Sequence, residues 1–202
     1  LKMSFHQPHQ PHCPPQFYYD RYMNMDLPEP VVGDWARKWD EPQKGLPVAA
    51  WRYWPSKQVM KQFRAAYYGC VNHIDDQIGR VLNRLPGNTI VLFVSDHGEM
   101  LGDHQWIRKR SAYEPSARIP FAIRFPNGMG LEQGQVREEL VSLEDVMPTL
   151  LDAAGVNAPD DMDGRSLLPM LRGEAGWRAY IHGECSQVPT VGSGQQYITD
   201  DR

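Results

Sequence analysis

The chain has 202 residues, of which 41% are hydrophobic and 23% are charged, and its formal net charge is −4. This composition is typical of a folded domain with a hydrophobic core and argues against a disordered or fibrous chain. The negative charge argues against a general nucleic-acid surface, which needs a basic stripe. No apolar run approaches the roughly 20 residues that cross a bilayer, so neither a nucleic-acid partner nor a membrane span is expected.

The cysteines give no sign of a cross-linked or zinc-bound scaffold. Cys13, Cys70 and Cys185 are odd in number and show no Cys-x-x-Cys spacing, which argues against a disulfide framework or a structural zinc site. Residues 1–5 do not form the long apolar stretch of a secretory signal. The compartment therefore stays undecided between the cytoplasm and the periplasm or exterior, and the oligomeric state is equally open.

The first quarter of the chain offers little regular structure. Residues 1–5 resemble the end of a strand, and residues 4–15 contain four prolines and three histidines, a composition that opposes a regular helix. Residues 16–56 are rich in proline, tryptophan and tyrosine and are predicted to stay irregular. An irregular region of that length is uncommon inside a compact domain unless it is functional.

Regular structure is predicted from residue 56 onward. Apolar residues recur at three- and four-residue steps from Ser56, a plausible N-cap, to Leu85, where Pro86-Gly87 ends the helix. Strands are predicted at residues 89–95, 119–125, 139–142 and 178–184, and helices at residues 142–154 and 166–171. Because strands alternate with helices, we expect an α/β fold with a mostly parallel sheet sandwiched by helices. Both ends of the chain look cut, so the domain is expected to be incomplete.

The most informative motif follows the strand predicted at residues 89–95. This apolar run stops at Ser95-Asp96-His97-Gly98-Glu99. In an open α/β sheet, ligands bind in the crevice past the carboxyl ends of the strands. A carboxylate and an imidazole placed there can bind a divalent metal without any thiolate. The sequence therefore predicts that Asp96 and His97 are metal ligands, although a lone histidine is often satisfied by a neighbouring backbone group.

Several separate motifs follow one another along the chain. They are Pro8-His9-Gln10-Pro11, Tyr67-Tyr68-Gly69, Ser95-Asp96-His97-Gly98-Glu99-Met100-Leu101-Gly102-Asp103-His104, Lys109, Tyr113-Glu114-Pro115 and Met162-Asp163-Gly164-Arg165. Their order resembles the sulfatase family of the alkaline phosphatase superfamily. The resemblance covers nearly the whole chain. It implies an alkaline-phosphatase-like fold and a partial sulfatase domain over residues 1–202, with active-site and surface loops at 1–56, an α/β core at 57–155 and the start of a C-terminal region at 156–202.

The resemblance also implies roles for individual residues. Asp96 and His97 match the pair that completes a divalent metal site in the family. Lys109, thirteen residues after Asp96, matches the lysine that contacts the ester anion, and His9 matches a histidine near the sulfate and the leaving oxygen. The neighbours of these residues remain alternatives from the sequence alone. They are Arg108 and Arg110 for the cationic role, and His6 and His12 for the imidazole. Glu99, Asp103 and His104 are treated as possible supporting residues outside the catalytic set.

One departure from the family pattern limits what this stretch is expected to do alone. Family members carry a Cys- or Ser-x-Pro-x-Arg motif whose first residue becomes the formylglycine nucleophile, and the residues after Cys13 and Cys185 do not fit it. A metal pair on an N-terminal strand is missing as well. We therefore expect the nucleophile in an N-terminal part outside these residues, and we expect residues 1–202 alone to be inactive.

The resemblance implies one divalent cation, for which calcium is favoured. Oxygen-rich sites suit calcium or magnesium, whereas a histidine ligand favours manganese or zinc more than an asparagine would. The function expected is metal-dependent hydrolysis of a sulfate monoester on a small molecule or a carbohydrate. Two alternatives stay open. These are a phosphonate monoester or phosphodiester hydrolase of the same superfamily, and a non-catalytic pseudoenzyme. A phosphomutase-like enzyme, which uses two metals, fits the single ligand pair poorly.

Overall fold

A computed structural model describes residues 1–39, 55–109, 111–174, 176–185 and 195–200. The chain divides into two compact units. The first contains Leu1–Pro86, His97–Lys109 and Pro115–Arg118, and the second contains Gly87–Asp96, Arg110–Glu114 and Ile119–Arg202. The helices are α1 (Gln16–Met23), α2 (Lys57–Leu82), α3 (Glu114–Ala117), α4 (Val146–Ala153) and α5 (Leu168–Leu171). The strands are β1 (Val91–Val94), β2 (Phe121–Arg124), β3 (Ile181–Cys185) and β4 (Gln195–Thr199).

The first unit is built on α2, which the sequence predicts correctly. The Ser56 hydroxyl accepts a hydrogen bond from the backbone N–H of Val59 at 3.3 Å, as an N-cap does. One side of the helix is buried and includes Met60, Ala65 and Cys70. Neither α2 nor any other helix in the described part of the chain is long and apolar enough to cross a membrane.

The prediction that residues 16–56 are irregular is wrong for α1 and for a 3-10 helix at Asp34–Trp39. Helix α1 forms because it packs along α2, where the Tyr18 hydroxyl donates to Asp76 at 2.5 Å. Gly69 allows this approach, since a Cβ there would lie 2.9 Å from Pro14 Cγ. Residues 1–5, expected to end a strand, have no strand structure. A helix that is stabilised mainly by packing against another helix shows little apolar periodicity of its own, so local sequence pattern does not predict α1.

The second unit contains the strands. Strand β1 pairs antiparallel with β2, with Val91 opposite Arg124 and Val94 opposite Phe121. Strand β3 pairs antiparallel with β4. The predicted strands at 89–95, 119–125 and 178–184 are thus confirmed as β1, β2 and β3. The strand predicted at 139–142 is wrong, because no strand is assigned there and the Leu140 carbonyl accepts from the Trp177 indole at 2.6 Å.

The α/β class is confirmed, but the expectation of a mostly parallel sheet does not hold for the strand pairs that the structure describes. A parallel pair needs a crossover of a dozen or more residues, usually a helix. The connection between β3 and β4, residues 186–194, is shorter than that, which fits their antiparallel pairing. Strands β1 and β2 also pair antiparallel, although a longer connection, residues 95–120, joins them. A large α/β sheet commonly includes such an antiparallel pair beside parallel strands.

Buried polar contacts hold the later helices of the second unit. The helix predicted at 142–154 forms as a 3-10 turn at Leu143–Asp145 followed by α4, and Gly155 with a φ of 68° ends it. The fully buried Asp145 carboxylate accepts from the Ser142 backbone N–H at 2.9 Å and pairs with Arg178 at 2.6 Å. The helix predicted at 166–171 is shorter, beginning at Leu168.

Candidate active site

His9 and Lys109, one hundred residues apart in the sequence, meet in the first unit. Lys109 Nζ lies 2.7 Å from His9 Nε2. His9 Nδ1 lies 2.9 Å from the backbone oxygen of Gln10. A carbonyl oxygen only accepts and a charged ammonium only donates. Both contacts are therefore satisfied by a neutral imidazole that has its proton on Nδ1 and accepts from Lys109 at Nε2.

His97 belongs to the same unit and lies close to this pair. Its ring centroid is 6.2 Å from that of His9. His97 Nδ1 lies 2.8 Å from the Gly98 carbonyl oxygen, so Nδ1 donates and the lone pair is on Nε2. Metal-binding histidines are commonly oriented in this way, by a hydrogen bond from the second ring nitrogen to a backbone carbonyl. The orientation of His97 therefore fits a cation ligand.

The glycine that follows His97 has a packing reason of its own. The Gly98 backbone N–H donates to the Ser116 carbonyl at 2.8 Å. A Cβ at position 98 would lie 2.1 Å from the Pro115 carbonyl oxygen, well inside contact distance. Only glycine allows the segment 115–118 to lie against the backbone beside His97.

Asp96 is exposed and follows β1 directly. It is the last residue of the segment Gly87–Asp96, which belongs to the second unit. The structure brings together His9, His97 and Lys109 in the first unit, and Asp96 directly precedes His97 in the sequence. Among the residues described, no group of three or more histidine, cysteine, aspartate or glutamate side chains is arranged to hold a metal ion. The chemistry of Asp96 and His97 fits a divalent cation, but such a cation needs more ligands than these two supply.

Glu99 is the residue that the sequence analysis underrates. Its half-buried carboxylate accepts backbone N–H hydrogen bonds from Arg108, at a very short distance, and from Leu101 at 3.4 Å. The Gln10 amide donates to its other oxygen at 3.4 Å. Burial raises the pKa of Glu99, and the backbone donors oppose that rise. Only its place two residues after His97 offered a sequence signal, since its partners are backbone groups and a distant loop.

The segment from Glu99 to Lys109 has an unusual backbone. Leu101, His104, Gln105 and Arg108 all have positive φ, between 47° and 72°. Each such residue costs of order 1–3 kcal/mol and persists only where its surroundings impose the conformation. Here the buried Arg64 guanidinium donates to the Leu101 carbonyl at 2.9 Å, and the Met100 N–H donates to the Arg108 carbonyl at 2.7 Å. The backbone before Lys109 is thus held firmly in one path.

Asp103 and His104 support this segment from its far side. Asp103 Oδ1 accepts from the Val31 N–H at 3.1 Å and lies 3.7 Å from Arg64. His104 Nδ1 accepts from the Gly33 N–H at 3.1 Å. Both side chains therefore fasten the segment to residues 31–33, which gives them structural roles.

The three histidines of the N-terminal loop differ in their surroundings. His6 is exposed, with its ring centroid 5.0 Å from that of His9. His12 is half-buried against α2, with ring centroids 5.0 Å from Phe63 and 5.5 Å from Tyr67. Burial, helped by His9 and Arg108, lowers the pKa of His12 to about 4. His12 is therefore neutral near pH 7 and packs as an aromatic ring.

The lowered pKa of His12 predicts a pH-dependent stability. Between its ordinary value of 6.5 and about 4, the unfolded chain binds a proton that the folded chain does not, so stability falls as the pH decreases through that window. After allowance for solvent screening of a half-buried ring, we expect a loss of about 1–2 kcal/mol. Urea unfolding at pH 7.5 and 5 measures it. His12→Phe should remove this part of the pH dependence and the exposed-site control His182→Phe should not. An unchanged slope in His12→Phe would contradict the assignment.

Comparison with solved structures defines the class of fold. The phosphonate monoester hydrolase of Silicibacter pomeroyi superposes with a TM-score of 0.64 at 32% sequence identity, over 79% of this chain and 35% of that one. The fold is accordingly of the alkaline-phosphatase type, with part of the domain present.

Sequence comparison narrows the class to a family. A sequence model of the family named Sulfatase matches residues 1–156, and the chain belongs to the sulfatase family. An arylsulfatase of Clostridium perfringens is 49% identical over 193 residues, which are 92% of this chain and 40% of the relative. An N-acetylglucosamine-6-O-sulfatase of Bacteroides thetaiotaomicron is 37% identical over 150 residues, or 69% of this chain and 25% of the relative. The chain thus spans less than half the length of either relative.

Proposed function

We propose that this chain supplies part of the active site of a metal-dependent sulfuric ester hydrolase of the arylsulfatase type. The observation that carries the proposal is the contact between His9 and Lys109, 2.7 Å apart, beside His97. It is supported by membership of the sulfatase family and by 49% identity to a protein named arylsulfatase. The substrate class proposed is a sulfate monoester of a small molecule or a carbohydrate, the latter because one relative is an N-acetylglucosamine-6-O-sulfatase.

In this proposal Asp96 and His97 are two ligands of a divalent cation, with calcium favoured and magnesium, manganese or zinc as alternatives. A bound cation would neutralise the sulfuryl oxygens and favour an ionised nucleophile. The family nucleophile is formylglycine, which we propose is supplied from outside residues 1–202. The hydrogen bond from His97 Nδ1 to the Gly98 carbonyl fixes the ring so that Nε2 is the nitrogen offered to a ligand.

Lys109 and His9 are proposed as the groups that contact the ester. An ammonium has three N–H donors, so Lys109 can hold His9 and an anionic ester oxygen at the same time. A fixed positive charge at that point stabilises the charge that develops during hydrolysis. In this arrangement His9 Nε2 accepts from Lys109. Donation of a proton to the leaving oxygen, a role suited to imidazole near neutral pH, requires that Nε2 carry that proton and that Lys109 turn its N–H groups to the ester instead.

A phosphonate monoester or phosphodiester hydrolase is the second candidate, favoured by the match to the phosphonate monoester hydrolase with a TM-score of 0.64. An aspartate–histidine pair with a nearby lysine suits either anion. The test compares kcat/KM of the full-length gene product for an aryl sulfate with kcat/KM for a matched aryl phosphonate monoester and an aryl phosphodiester. We expect the sulfate to be preferred by at least about tenfold, or 1.4 kcal/mol of transition-state binding. Faster cleavage of a phosphorus ester would overturn the sulfatase proposal, and no turnover of any of them would favour a pseudoenzyme.

A further inference from the structure

A closed ring of hydrogen bonds joins the loop that carries His9 to the segment that ends at Lys109. Glu99 accepts the backbone N–H of Arg108, the residue before Lys109. Lys109 Nζ contacts His9 Nε2 at 2.7 Å, and His9 Nδ1 contacts the Gln10 carbonyl at 2.9 Å. The Gln10 side-chain amide returns to Glu99 at 3.4 Å. Every member of this ring lies in the first compact unit.

We infer that Glu99 and Gln10 are positioning residues that fix the His9 ring and its distance from Lys109. The inference rests on the proposed function for its catalytic consequence and on the ring alone for its geometry. Arg108 has a φ of 72°, a conformation that an arginine does not keep without outside support. The Glu99 carboxylate supplies that support by holding the Arg108 N–H, and Gln10 ties the same carboxylate to the loop of His9.

The contacts of the two carboxylate oxygens indicate that the length of the Glu99 side chain matters more for positioning than its charge. Glu99 Oε1 accepts both backbone N–H groups, and Oε2 accepts from Gln10. A glutamine has the same length and one carbonyl oxygen, so that oxygen can still accept from both backbone N–H groups. Its NH₂ group would then face Gln10, whose amide must flip to present its own oxygen. An aspartate keeps the charge but is one methylene shorter and cannot reach both the backbone donors and Gln10.

This difference gives an ordered prediction for two variants of the full-length gene product. We expect Glu99→Gln to lower kcat for an aryl sulfate by about 3–10-fold and Glu99→Asp by about 30–100-fold, because only the second leaves half-buried backbone donors unpaired. KM should change less than kcat in both. Glu138→Gln and Glu138→Asp, at an exposed glutamate, are the matched controls and should keep the wild-type rate. The reverse order, with aspartate better tolerated than glutamine, would show that charge and not position is what Glu99 supplies.

Gln10→Ala opens the ring without changing a buried group and serves if the Glu99 variants fold poorly. We expect a kcat loss of about 3–10-fold and no change in thermal midpoint beyond that of the controls. Residues that act through His9 should also show non-additive effects. In a His9→Ala background, Glu99→Asp and Gln10→Ala should each cost less than about twofold further. If Glu99→Asp and Gln10→Ala lowered kcat by the same factor in the His9→Ala background as in the wild-type protein, the inference would be overturned.

The tautomer of His9 provides a readout that needs no turnover. In protein labelled with 15N-histidine, with the His9 signals assigned by their absence in His9→Gln, we expect the proton on Nδ1. Glu99→Asp should shift the signals toward a mixture of tautomers, whereas Glu138→Asp should not. Unchanged 15N shifts in Glu99→Asp would refute the positioning role. If the wild-type protein hydrolyses no ester but this shift is seen, the proposed function fails while the inference stands.

Discussion

Asp96→Ala in the full-length gene product is expected to lower kcat/KM for an aryl sulfate by about 10³-fold or more. Removing a carboxylate ligand takes a negative charge and an oxygen donor from the proposed cation. Metal stabilisation of transition-state charge is worth several kcal/mol, and about 4 kcal/mol corresponds to 10³ in rate. The metal content of the purified protein, measured by inductively coupled plasma mass spectrometry, should fall together with the rate. Asp96→Asn keeps an oxygen ligand without the charge, so its kcat/KM and metal content should lie between those of the wild-type protein and those of Asp96→Ala.

The control for this prediction is Asp161→Ala, which removes an exposed aspartate and should change neither metal content nor rate. Treatment with a chelator should reproduce the loss in the wild-type protein, and adding back calcium, magnesium, manganese or zinc in turn should identify the cation that restores the rate. An Asp96→Ala variant with wild-type rate and metal content would remove Asp96 from the ligand set.

Lys109→Ala is expected to lower kcat/KM by about 10²–10³-fold, the usual effect of removing one preorganised charge or donor from an active site. Lys109→Arg should recover little, because a planar guanidinium cannot replace a compact ammonium that lies 2.7 Å from His9 Nε2. Steady-state kinetics with the same aryl sulfate measures both variants. The loss should appear without a change in thermal midpoint, since the side chain of Lys109 is only half-buried.

Lys57→Ala is the matched control for Lys109, because Lys57 has an exposed side chain at the start of α2. It should leave kcat/KM unchanged. Arg110→Ala tests the alternative that a neighbouring arginine carries the charge. If Arg110→Ala were the damaging variant and Lys109→Ala were neutral, the cationic role would pass to Arg110.

The sequence predicts those parts of the fold whose own pattern determines their structure. Helix α2 shows a three- and four-residue apolar repeat with a serine cap, and β1 is a short apolar run, so both were predicted within a few residues. Helix α1 has no buried residue of its own, and its stability comes from packing along α2. The direction of strand pairing also depends on how the connections run, which local periodicity does not contain.

The candidate site divides in the same way. Motif order and the resemblance pointed to His9, His97 and Lys109, and the structure places these three near one another in one unit. Their catalytic and metal-binding roles stay predictions. Without the resemblance, residue type alone does not separate His9 from His12, because the two histidines differ in burial. Glu99 was underrated for a related reason, since backbone N–H donors have no side-chain signature.

The four left-handed residues before Lys109 have a practical consequence for redesign. A backbone path that depends on so many unfavourable angles tolerates little change in length. Adding or deleting one residue between Glu99 and Lys109 would therefore move the Lys109 ammonium away from the His9 imidazole. Laboratory evolution toward new esters would therefore do best to leave these eleven positions untouched and to diversify exposed loops elsewhere, where a changed length costs little.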